Sequence, residues 1–232
     1  MPDRTNLDWD ALFSALYAWR AKTLAADNEG RGGEDPSVTA IAGETDRDPW
    51  AVLVSTIISL RTKDAVTVVA SRRLLAEAGT PQALLTLSEE EIAALIHPAG
   101  FFRTKAKSLR TIAAILIERY AGKVPADKDQ LMELPGVGLK TANLVLSEAF
   151  DQDAICVDIH VHRISNRVGW ISTKTPDESE TALRAILPRK YWKRINALLV
   201  LYGQRVCAPV SPKCSICAIK EFCERVGVTK TR

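Results

Sequence analysis

The chain has 232 residues, 47% hydrophobic and 25% charged, with a formal net charge of +3, and these values are ordinary for a globular protein of one large domain or two small ones. No apolar stretch is long enough to span a bilayer, and the opening Met1-Pro2-Asp3-Arg4 lacks a basic-then-apolar leader, so a cytoplasmic protein without membrane association is expected. The mild positive charge permits nucleic acid as a partner without requiring it.

The elements read as helices throughout. Residues 10–26 carry Leu12, Leu16, Trp19 and Leu24 at helical spacing. Residues 28–36, rich in glycine and charge, read as a flexible loop. Pro49 opens an apolar run, Trp50 to Leu60, expected to be a buried helix. A polar break at 59–64 follows, with Asp64 placed to cap a helix over 65–78 that stops at Gly79. Thr80-Pro81 starts a short helix, and Ser88-Glu89-Glu90-Glu91 forms a capping box before Ile92 to Ile96. An amphipathic helix is predicted over 106–120, ending at Gly122, then short and longer helices over 127–132 and 139–150. Residues 154–161 are β-rich in composition but too isolated for a sheet. Helices over 176–187 and 191–202 complete an all-α chain without repeats or low-complexity segments.

The stretch Leu134-Pro135-Gly136-Val137-Gly138-Leu139-Lys140-Thr141-Ala142 holds the densest chemistry. Pro135 fixes φ, and the two glycines allow positive φ and a close backbone approach. The helix that begins there presents unpaired N–H groups with the positive end of its dipole behind them, which makes an anion site. Helix, Gly-x-Gly turn, helix is a hairpin pattern that holds one DNA strand by its phosphates without reading bases. A dinucleotide fingerprint would need a third glycine where Thr141 stands and a strand upstream; a Walker loop is broken by Leu139 between Gly138 and Lys140. On these residues alone, a plain tight turn between helices stays open.

Lys140 lies near a helix N-terminus, where the dipole disfavours a cation; a neutral amine there is a nucleophile able to form a Schiff base with a sugar carbon. Eighteen residues on, Asp158 stands in Val157-Asp158-Ile159-His160, flanked by apolar residues. It reads as a helix N-cap, a catalytic carboxylate, or both. Four of the five cysteines, Cys207, Cys214, Cys217 and Cys223, follow the spacing C-x6-C-x2-C-x5-C. That is not a secreted disulfide framework; four thiolates suit zinc or an iron–sulfur cluster, and only one C-x2-C pair is present where zinc ribbons usually show two. Cys156, among apolar neighbours, reads as a core residue. The basic stretches 102–107 and 189–194 carry interleaved aromatics; the first could contact phosphates, the second reads as a solvated helix start.

The run 134–143, the Val-Asp-x-His at 157–160 and the cysteine quartet, in this order and spacing from about Pro49 onward, resemble the endonuclease III family of DNA glycosylases. The resemblance implies an all-α, two-domain helix-hairpin-helix protein with a C-terminal [4Fe-4S] loop. One domain would span 42–152 and end in the hairpin at about 127–150; the other would join 1–41 to 153–232 and carry the cluster on Cys207, Cys214, Cys217 and Cys223. It further implies a bifunctional glycosylase/AP lyase that removes oxidised pyrimidines from double-stranded DNA, or acts at abasic sites, as a monomer in the cytoplasm (on the nucleoid, if bacterial). Lys140 would attack the sugar C1′, and Asp158 would activate it and stabilise developing positive charge. Pro135, Gly136, Val137, Gly138 and Thr141 would hold the strand. Arg61 would enter the duplex beside the vacated base, where many relatives carry glutamine, and His160 would support the site at the DNA. Two other readings share these motifs: a mismatch-specific thymine or adenine glycosylase, and a non-catalytic helix-hairpin-helix DNA-binding protein.

Overall fold

The computed structural model describes residues 7–27 and 35–232. Up to residue 34, the loop expected at 28–36 lies outside the described residues, as does the opening tetrapeptide. Among the described residues there are twelve α-helices and no strand. They are α1 (Trp9–Asp27), α2 (Ser37–Glu44), α3 (Pro49–Ser59), α4 (Asp64–Glu77), α5 (Pro81–Leu85), α6 (Glu89–Ile96), α7 (Phe102–Tyr120), α8 (Lys128–Met132), α9 (Leu139–Ala149), α10 (Ile159–Val168), α11 (Pro176–Ile186) and α12 (Ile195–Arg205). None is long and apolar enough to cross a membrane. The chain divides into two compact units: Pro36–Ala154, and the residues before Pro36 joined to Ile155–Arg232.

In the unit 36–154, α3 is the central element. Asp48 caps it by accepting from the Ala51 N–H at 2.8 Å, and Pro49 takes the first turn, where its missing N–H costs nothing. Val52, Leu53, Val54 and Ile58 are fully buried, each worth about 1.5–3 kcal/mol of transfer free energy. The helix packs on α2, α4, α7 and α9. The capping box at Ser88 and Glu91 is formed in both directions, and Thr80 caps α5.

The other unit gathers α1, α10, α11 and α12 around Leu12, Phe13, Leu16, Val161, Ile164, Leu198 and Tyr202. Phe13 stacks on Tyr191 with ring centroids 3.8 Å apart, and the Tyr191 hydroxyl donates to Asp10 at 2.7 Å, which binds α1 to the segment before α12.

Several expectations are corrected. Asp64 does not cap its own helix: it stands inside the first turn of α4, and its Oδ1 accepts from the Ser37 hydroxyl at 2.7 Å. Helix α2, unpredicted because its short Ser/Thr/Gly sequence has poor propensity, is held by burial of Val38, Ile41 and Ala42. Helix α7 starts at Phe102 rather than 106. The β-rich stretch 154–161 ends inside a helix: from Ile159 onward it is α10, because Asp158 caps it and Val161, Ile164 and Val168 face the core. The helix expected from Tyr191 begins only at Ile195, after a 3₁₀ turn at Arg189–Tyr191.

Candidate active site

The hairpin is α8, a six-residue turn and α9. Asp127 caps α8, accepting from the Gln130 N–H at 3.0 Å. In the turn, Leu134 and Val137 point inward, and the Val137 N–H donates to the Leu134 carbonyl at 3.1 Å. Gly136 has φ of +81°, a conformation that favours glycine. Gly138 does not share it: with φ of −96° and ψ of −178° it is an extended N-cap, open to any residue on backbone grounds. A Cβ added at either glycine would meet nothing within 4 Å. The protein's own packing therefore gives no reason for glycine at 138, and the bare backbone leaves room for something outside the chain. Helix α9 starts without a side-chain cap, so the N–H groups of its first turn have no intrahelical acceptor. Thr141 and Val137 have buried side chains, so Thr141 can reach an anion only through its main-chain N–H, while that of Val137 is taken by the Leu134 carbonyl.

Lys140, in the first turn of α9, lines a cavity of about 510 Å³ with Arg61, Phe101, Lys105, Pro135 and Gly136. Apolar walls with a few converging polar groups are the usual make-up of a reacting site. Arg61 follows α3 with φ of +53°, and its guanidinium lies 5.4 Å from the centre of the Phe101 ring. Phe101 itself has φ of +57° and is 62% exposed.

Lys105 was expected to face phosphates as part of 102–107. The structure turns it inward: it is buried, and its Nζ donates to the carbonyls of Ile58 (2.7 Å) and Leu60 (2.6 Å) and to Thr62 Oγ1 (2.8 Å). Burial pushes its ammonium down to about 8, so it remains mostly cationic at neutral pH. The spacing Lys105, Leu109, Ile112, Leu116 along the buried face of α7 was the available signal.

Asp158 and His160 belong to the other unit. Asp158, 9% exposed, is the N-cap of α10: its Oδ1 accepts from the N–H groups of His160 (2.8 Å) and Val161 (2.9 Å). The bonds hold the carboxylate in one orientation and use one of its oxygens, which leaves Oδ2 outside these two bonds. His160 lies against α12, where a Cβ on Gly203 would come within 2.4 Å of its Nδ1. Arg163 shares a 3.1 Å hydrogen bond with that Nδ1 and donates to the carbonyl of Cys207 at 2.9 Å.

The four cysteines of the quartet lie in the same unit. Burial pushes the Cys214 and Cys223 thiols up, and the charges of Cys217 and Cys207 add to the rise in both. Holding all four sulfurs deprotonated together would take a cationic centre. Donors already face the sulfurs: Arg167 to Cys207 at 3.3 Å, Tyr202 to Cys217 at 3.1 Å and the Arg225 N–H to Cys223 at 3.4 Å. Among the described residues, no group of three or more His, Cys, Asp or Glu is arranged to hold a metal ion. Cys156 is buried and apart from them in sequence, in the core.

Comparison with known proteins places this geometry. Residues 54–189 match the family described as HhH-GPD superfamily base excision DNA repair protein. Endonuclease III of Thermotoga maritima is 46% identical over 177 residues, covering 76% of this chain and 83% of its own. The solved structure of a trapped endonuclease III–DNA covalent intermediate superposes with a TM-score of 0.73 at 33% identity, over 82% of this chain and 93% of that one. A thermostable thymine-DNA glycosylase superposes with a TM-score of 0.74, over 93% of this chain and 98% of that one, but at 24% identity this is a likeness of fold alone. A family model matched over residues 54–189 and 46% identity to an endonuclease III across three quarters of the chain show that the protein belongs to the endonuclease III family within the HhH-GPD superfamily of base excision DNA repair proteins.

Proposed function

We propose that this protein is a bifunctional DNA glycosylase and AP lyase that removes oxidised pyrimidines from duplex DNA and nicks the strand. The observation that carries the reading is the hairpin: a turn where a Cβ on Gly136 or Gly138 would meet nothing within 4 Å, leading within two residues to a lysine that lines a cavity. The open turn and the first N–H groups of α9 hold a phosphate. The target nucleotide leaves the stack, because its C1′ is out of reach inside a duplex. The Lys140 amine attacks C1′; the N–C bond forms as the glycosidic bond breaks, and the base leaves with a proton. Asp158, with one oxygen fixed by its cap bonds, supplies negative charge where the sugar becomes positive and takes the proton that Lys140 must lose. Ring opening gives the Schiff base, loss of a C2′ proton expels the 3′ phosphate by β-elimination, and water releases the lysine. Arg61 enters the duplex beside the vacated base, and its donor-only guanidinium pairs with acceptors on the orphan base. Cys207, Cys214, Cys217 and Cys223 hold a [4Fe-4S] cluster, which supplies a soft, thiolate-bound core that fixes the loop carrying Lys213 and Lys220.

The test is a panel of duplexes carrying oxidised pyrimidines, thymine mismatches or abasic sites. Oxidised pyrimidines and abasic sites should give strand scission with a 3′ unsaturated aldehyde. Base release from thymine mismatches alone, or binding without cleavage, would contradict the reading. Gly138→Ala isolates the phosphate grip. It should cost about 1 kcal/mol or less in thermal unfolding, as a cap change with no steric clash. In fluorescence anisotropy it should weaken duplex binding by roughly tenfold, because the methyl group occupies the space a phosphate needs.

A further inference from the structure

A buried ammonium is costly, and an apolar side chain would fill the site of Lys105 at less expense. What Lys105 does with its charge is therefore informative. Its three protons have three acceptors, at the C-terminal end of α3 and in the loop that follows: the carbonyls of Ile58, in the last turn, and of Leu60, the C-cap, and Thr62 Oγ1. Those acceptors bracket Arg61, whose left-handed backbone is strained for a non-glycine residue.

The clamp extends to a second loop. Thr62 Oγ1 also accepts from the Gly100 N–H at 3.0 Å. Gly100 is pressed so closely on this loop that a Cβ would come within 2.4 Å of the Arg61 carbonyl. The next residue, Phe101, is again left-handed, largely exposed, and under the Arg61 guanidinium. One ammonium thus ties together two loops whose strained tips meet in a cation–aromatic pair, at the rim of the cavity that Lys140 lines.

We propose that Lys105 is a positioning residue that holds Arg61 and Phe101 as one preassembled pair for entry into the duplex. The proposal rests on the reading above in which Arg61 fills the gap beside the vacated base. Strain at two adjacent tips persists only where surrounding bonds over-determine it, and the Lys105–Thr62–Gly100 network is that constraint. Fixing the pair in advance removes an ordering cost from recognition.

The test compares Lys105→Met, Arg61→Ala and the double variant on two substrates: a lesion-bearing duplex under single-turnover conditions, and single-stranded abasic DNA, which has no orphan base. Thr62→Val, which removes one acceptor and leaves Lys105 in place, is run beside them. Lys105→Met and Arg61→Ala should each lose about tenfold on the duplex, and several-fold less than that on single-stranded abasic DNA. The double variant should lose no more than either single one, because both act through one pair. Thr62→Val should lose about threefold on the duplex, and nothing further when Arg61 is already alanine. If Arg61→Ala cleaves the duplex as fast as wild type, the role given to Arg61 fails and the proposal goes with it. If Arg61→Ala is impaired but Lys105→Met is not, or if the two losses multiply, the role of Arg61 stands and that of Lys105 is overturned. As large a loss on single-stranded abasic DNA by Lys105→Met overturns it as well. Should Lys105→Met fail to fold, Thr62→Val decides, and a wild-type duplex rate or a loss that multiplies with Arg61→Ala overturns the proposal.

Discussion

Lys140→Gln should abolish strand scission and covalent capture while leaving the protein folded and bound to DNA. The glutamine amide keeps the polarity at the cavity wall but has no nucleophilic lone pair, so the Schiff base cannot form. Losing the nucleophile of a covalent mechanism costs on the order of 10³-fold or more in the chemical step. Binding should change by less than about threefold, because the strand is held by the N–H groups of the turn and not by the lysine side chain. Single-turnover cleavage of an abasic duplex, with anisotropy on an uncleavable analogue, checks both halves. Cleavage within about tenfold of wild type would remove Lys140 from the chemistry.

Asp158 has two duties, and two substitutions separate them. As the N-cap of α10, it accepts from two backbone N–H groups; as a carboxylate, it is proposed to supply charge to the reacting sugar. An asparagine in its place would cap nearly as well as aspartate, whereas alanine would not, at a cost of about 1 kcal/mol. Asp158→Asn should therefore melt close to wild type, less a few tenths of a kcal/mol for the charge at the helix N-terminus, and still lose on the order of 10²–10⁴-fold in base excision. Asp158→Ala should show the same loss of activity and, in addition, the lost cap stability. If Asp158→Asn retained full activity, the residue would be a cap alone.

The parts of this protein that were legible in its sequence are those whose chemistry is local. The turn at 134–138 announces itself through Pro135 and Gly136, and the capping box through Ser88 and Glu91. The cap role of Asp158 was also open in the sequence, since an aspartate before a helix is a natural cap. What could not be read was set by tertiary contact. Helix α10 was hidden because its β-branched Ile159, Val161 and Ile164 argue for a strand until the burial of Val161 and Ile164 against α12 is known. Lys105 looks like one basic residue among several between 102 and 107, and only the fold shows that its ammonium ends on the carbonyls at the C-terminal end of α3. Gly138 looked like a second positive-φ glycine; its extended backbone shows instead that its missing side chain matters for what approaches from outside. The strain at Arg61 and Phe101 likewise has no signature in residue type, since neither is a residue that prefers the left-handed region.

The claim on which the rest depends is that Lys140 bonds to the sugar. It is tested most directly by reducing the enzyme on an abasic duplex with borohydride, digesting the product, and locating the adduct by mass spectrometry. Lys105 lines the same cavity, so the measurement has a built-in rival. The account predicts a single adduct, on Lys140. An adduct on Lys105 or another amine, or no adduct at all from protein that cleaves the strand, would contradict it.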